Sequence, residues 1–189
     1  MTDLVSGGSA ASMQGIDQVL AAQLAAFLAF LLAASAAHKW WRWDHTLAVV
    51  RDFVGVPGAA APAAAVTVGV VEWSAAVLLF IPTYRVLGAL LAATVLTLYL
   101  ALIARSLSAG RRDVDCGCSF GPVRHSLGAF EVGRNAVLAA MALFVAGSAA
   151  RGGPVISPSQ VLAAAAMLAL YAALDQVMGL RPMRQGAVL

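Results

Sequence analysis

The chain has 189 residues, 61% of them hydrophobic and 11% charged, with a net charge of +3 and a mean hydropathy of +0.86. A soluble domain averages about 45–50% apolar and about 25% charged residues, so this chain has too little polar surface to cover a core in water. The excess of basic residues forms no run with interleaved aromatics, which excludes a nucleic-acid interface and leaves the lipid bilayer as the solvent.

The first element follows a small, polar and acidic start, residues 1–17, "MTDLVSGGSAASMQGID". The first basic residue is Lys39, so the basic region of a signal peptide is missing. The expectation is that the apolar run from about 19 to 37 stays on as a membrane span, although "AASAA" after it mimics a cleavage site. Four more apolar runs follow, at about 59–81, 86–104, 127–150 and 161–178. Each approaches the roughly 20 residues that a helix needs to cross hydrocarbon. The fold class is therefore an all-α, polytopic bundle of four to five antiparallel transmembrane helices within residues 18–180, with a tail at 181–189. Gly88 and Ala92, four apart, would let backbones approach closely in lipid.

Pro82 with Tyr84 and Arg85 predicts a tight turn between the second and third runs, and "ARGGPVISPS" separates the last two. The connections at 38–58 and 105–126 are longer. Alternating direction puts both on one face, together with the tail. That face carries nine basic residues against two, Arg85 and Arg151, on the other. The positive-inside rule therefore predicts that it is cytoplasmic.

Four sets of residues could carry chemistry. Cys116 and Cys118, the only cysteines, flank Gly117 in "DCGCSFGP". A bridge across a single residue demands a tight bend, for which Gly117 supplies backbone freedom. Such a bridge would be strained and labile, as redox-active disulfides are. Arg111, Arg112, Arg124 and the start of the fourth span, with Ser126 as a cap, favour a thiolate; Asp113 and Asp115 oppose it. His125 is placed to accept a proton. The alternatives are two inert thiols, or a metal site from Cys116, Cys118 and His125, which falls one ligand short of the four that zinc prefers.

Glu72 lies about halfway through the second span, where an ionisable group is a functional candidate by default; its expected partner is Arg134 or Lys39. Glu131, Arg134 and Asn135 lie in the first turns of the fourth span, below the cysteines, and Glu131 and Arg134 are spaced to pair on one helix face. Asp175, a charge near the end of the fifth span, stands outside these sets. "HKWWRWDH", residues 38–45, predicts an interfacial aromatic belt, with a stacking site for a quinone ring as the alternative.

Lys39, Pro62 and Glu72, followed by "CGC", "FG" and "RN" (Cys116, Gly117, Cys118; Phe120, Gly121; Arg134, Asn135), resemble the MauE family of methylamine utilisation membrane proteins, related to DoxX-like redox membrane proteins. "CGCSFGP" with the downstream "EVGRN" is the most specific part, and Ser119 departs from a plainer "CGCFG" form. The resemblance implies a multi-pass protein of the bacterial inner membrane. It also implies a role in processing, transport or maturation of the periplasmic methylamine dehydrogenase β subunit, beside a thioredoxin-like partner, MauD. Cys116 and Cys118 would then exchange disulfides, with Gly117, His125, Lys39, Glu72, Glu131, Arg134 and Asn135 in support. The layout is also similar to the vitamin K epoxide reductase bundles, which makes a quinone the candidate electron acceptor, but the two extra loop cysteines of those enzymes are missing. Oxidative folding belongs in the periplasm, against the side that the basic residues predict. A non-redox scaffold or transport factor and a metal-handling protein are the competing functions.

Overall fold

The computed structural model describes residues 3–55, 58–110, 128–152 and 155–179; within these, the side chains of 3–14, 52–54 and 179 are left aside. The described residues form six α-helices and no strand. These are α1 (Asp3–Trp41), α2 (Trp43–Val54), α3 (Ala60–Phe80), α4 (Arg85–Ser108), α5 (Ala129–Ala149) and α6 (Pro158–Gly179). Among the described residues, five stretches are long and apolar enough to cross a membrane: Gly15–Trp41, Ala60–Phe80, Pro82–Ser108, Ala129–Ala149 and Pro158–Met178.

α1 is the central helix, packed against α3, α5 and α6 and, less extensively, α2 and α4. Its middle, Ala25 to Leu32, supplies most of one continuous core with Ala76, Leu79, Ala89, Ala92, Leu138 and Ala142. α6 rests on α1 in parallel: Gln160 Nε2 donates to the Val19 carbonyl at 3.2 Å, and Phe27 meets Tyr171 edge-on at 6.1 Å.

α3 shows how these residues pack. Its buried side reads Ala61, Ala65, Gly69, Glu72, Ala76 and Leu79, mostly small residues. Its outer stripe reads Val66, Val70, Trp73, Val77 and Phe80, all exposed. Both sides are apolar, so the helix is sorted by size and not by polarity. Lipid supplies no hydrophobic drive between helices, and close backbone contact takes its place.

The ends of the helices are set locally. Ile81 is extended ahead of Pro82, as a residue before proline prefers. Pro82–Tyr84 then form one 3-10 turn, and α4 doubles back along α3. A Cβ on Gly88 would lie 2.7 Å from the Leu79 nitrogen, so only glycine allows this approach. α6 opens with a capping box: Ser157 N donates to Gln160 Oε1 at 2.8 Å, the Gln160 N–H points back to Ser157 Oγ, and Pro158 takes the first helical position.

The connection predicted at 38–58 is largely helical. α1 runs on to Trp41, and α2 lies beyond a corner at Arg42 that Thr46 Oγ1 stitches by bonding the Lys39 and Arg42 carbonyls, each at 3.1 Å. α2 ends at Gly55, whose positive φ of 69° turns the chain. Val49 of α2 packs with Ile103 of α4. The scattered charges of 44–52 disguised an amphipathic helix as a loop.

Candidate functional site

The helices bring charge together in one layer of the bundle, toward the face where α4 ends and α5 begins. Glu72, on the buried side of α3, is fully buried. Lys39, near the end of α1, reaches it with Nζ 2.9 Å from both carboxylate oxygens. Ser35, one turn earlier on α1, receives a hydrogen bond from the same Nζ at 2.7 Å and donates to Glu72 Oε1 at 3.2 Å. Tyr99 of α4 donates its hydroxyl to Glu72 Oε1 at 2.6 Å, and its ring lies 5.3 Å from the Lys39 ammonium. Three helices thus meet on one carboxylate. Charge-assisted bonds of this kind are roughly twice as strong as neutral ones, and the low dielectric of the bundle strengthens them further.

A second pair lies in the same layer. Arg134 of α5 donates from Nη1 to Asp175 Oδ1 of α6 at 2.5 Å, and both side chains are buried. Asn135 Nδ2 donates to the Glu131 carbonyl at 3.0 Å. The Glu131 carboxylate turns back to accept the Gly128 N–H at 2.8 Å, satisfying the start of α5 where negative charge is favoured. Every long helix therefore contributes a polar side chain to the layer.

Of the expected supporting residues, Lys39 and Glu72 meet as an ion pair. Arg134, the other partner expected for Glu72, is engaged by Asp175 instead. The pairing expected between Glu131 and Arg134 along one helix is likewise replaced: Arg134 reaches across to α6, and Glu131 caps α5. Asp175 therefore belongs to the site, and the rule that singled out Glu72, a charge inside an apolar span, applies to it equally. Tyr99 and Ser35 were missed; a hydroxyl in a span is too common to signal by itself, although Ser35 sits one helical turn before Lys39. Cys116, Gly117, Cys118 and His125 lie outside the described residues. Among the described residues no group of His, Cys, Asp and Glu could hold a metal ion.

The tryptophans divide. Trp41 is 91% exposed, as a belt residue would be. Trp40 lies over Gly69, where an added Cβ would come 3.2 Å from its Nε1, and it stacks on Trp43 at 5.8 Å with ring planes 12° apart. Two of the three thus take part in packing the α1–α2 corner.

A multi-pass membrane protein with ionised groups paired inside the bundle is the class that this fold and layer define. Comparison with known proteins makes it specific. The family model for methylamine utilisation protein MauE matches residues 17–148. The chain is 35% identical over 167 residues to the methylamine utilization protein MauE of Methylophilus methylotrophus, covering 86% of this chain and 88% of that one. The Paracoccus versutus protein of the same name is 34% identical over 160 residues, covering 83% and 86%. That of Paracoccus denitrificans is 35% identical over 120 residues, or 64% of each chain. The chain belongs to the MauE family. No solved structure matches it.

Proposed function

We propose that this protein is a membrane factor of methylamine utilisation that matures the β subunit of methylamine dehydrogenase. Cys116 and Cys118 exchange disulfides with a thioredoxin-like, MauD-type partner. A thiolate of one pair attacks the disulfide of the other, a mixed disulfide forms, and the second thiol resolves it, so that one protein is oxidised as the other is reduced. In this reading the chain is a thiol–disulfide oxidoreductase-like factor in the bacterial inner membrane.

The observation that carries the reading is membership of the MauE family, whose matched region includes both cysteines. The charged layer adds support. Buried ion pairs are expensive in lipid and are kept where they position or switch something. This layer ends at Gly128, the last residue before α5, and so at the base of the segment that bears the cysteines.

The test is the double substitution Cys116→Ser with Cys118→Ser in a host growing on methylamine. The expected result is a dehydrogenase β subunit with incomplete cross-links and loss of growth on methylamine. Complete cross-linking with normal growth would reject exchange and leave a non-redox scaffold or transport factor.

A further inference from the structure

Between the two ion pairs lies a small, partly open cavity of about 30 Å³. Its walls include Ser35 of α1, Glu72 of α3, Tyr99 of α4, Arg134 and Asn135 of α5 and Tyr171 of α6, together with leucines. A water molecule needs roughly 10–15 Å³ of such space and two to four polar partners. The volume suffices for one or two waters, and six side chains with polar atoms line it. Genuinely dry cavities have apolar walls, whereas this one sets polar atoms into a mainly apolar lining.

The position of the cavity matters more than its size. On one side, Glu72 bonds Lys39, whose side chain is 11% exposed and so reaches the edge of the bundle. On the other, Asn135 bonds the Glu131 carbonyl, and Glu131 bonds Gly128 at the start of α5. Polar groups are joined from Lys39 to Glu72; on α5, Asn135 holds the Glu131 carbonyl and the separate Glu131 carboxylate holds Gly128. The cavity is the gap between the two sides.

We propose that this cavity is a water site, and that its water joins the groups of the two ion pairs into one polar network. The charged and titratable groups around Glu72 are Lys39 from α1, Tyr99 from α4, Arg134 from α5 and Tyr171 from α6, with Asp175 of α6 behind Arg134 and Glu131 one turn along α5 from Asn135. Glu72 on one side and Arg134 with Asn135 on the other position the water, the carboxylate accepting and the guanidinium donating.

The test uses full-length protein carrying Cys116→Ser and Cys118→Ser in lipid nanodiscs, so its outcome is independent of thiol chemistry. Hydroxyl radicals generated in situ by X-rays label side chains that touch water, including internal water. Leu31, Leu32 and Leu96 line the cavity, whereas the comparably buried Val95 and Ile103 do not. The expected result is labelling of the first three several-fold above the last two, with slow incorporation of oxygen-18 from labelled solvent. Equal labelling of both groups overturns the water site.

Discussion

The two ends of the bundle are held by opposite means. At the α3–α4 turn, helices meet through backbone: Gly88 lies directly against Leu78 and Leu79, and the one buried charge there, Arg85, donates from Nε to the Leu79 carbonyl at 3.0 Å, where a helix end welcomes a cation. In the layer toward the other face, helices meet through side-chain charge, with Lys39 on Glu72 and Arg134 on Asp175. Small-residue contact is the economical way to join helices in lipid. Replacing buried ion pairs by well-packed apolar residues is often neutral or stabilising. The comparison thus sets a charged end, whose proposed role goes beyond holding the bundle together, against a turn end built from backbone contact.

Substitutions can break this comparison, and the largest effect belongs to the charged end. Glu72→Ala strands the Lys39 ammonium, and breaking one partner of a buried pair costs about 3–5 kcal/mol. Unfolding of the purified protein in mixed micelles should show that loss, and Lys39→Met combined with Glu72→Leu should recover most of it while remaining inactive. Recovered activity in the double variant would make the pair merely structural. Arg134→Leu with and without Asp175→Leu forms the same cycle for the second pair and has the same expected pattern.

Next in size come single contacts at each end. Tyr99→Phe removes one hydrogen bond to a charged group, about 1.5–3 kcal/mol, and is expected to lower activity more than its stability loss explains. Gly88→Ala pushes a methyl group into the α3 backbone, about 1–3 kcal/mol by analogy with overpacked cores, and should lower stability with the activity of the remaining folded protein unchanged. The smallest effect has the opposite sign. A Cβ at Gly133 meets nothing within 4 Å, so Gly133→Ala should stabilise α5 by about 0.5–1 kcal/mol, read as a shift in the same unfolding curve.

Much of this arrangement was legible in the sequence because lipid imposes simple rules. Apolar runs of bilayer length marked the five spans, and Glu72 stood out because a charge in such a run is costly. Pairings across the bundle were less legible. Sequence spacing sees neighbours on one helix, so it matched Glu131 with Arg134 three residues away, whereas the bundle brings Asp175 of α6 to that arginine. Nothing local distinguishes Tyr99 from any other tyrosine of a span until α4 is laid against α3. α2 was hidden because its polar residues cover the outer side of an amphipathic helix, a pattern that also suits a loop. The cavity depends on side chains from five helices, which no single segment specifies.

The central claim is that Cys116 and Cys118 cycle between thiol and disulfide while the dehydrogenase is assembled. Acid quenching of living cells followed by mass-tag alkylation measures this directly, before and during growth on methylamine. The account predicts a mixture of oxidised and reduced protein that shifts when β-subunit synthesis begins, together with a trapped mixed disulfide when either cysteine alone is replaced by serine. A pair that stays fully reduced in both conditions, in cells still producing active dehydrogenase, would contradict it.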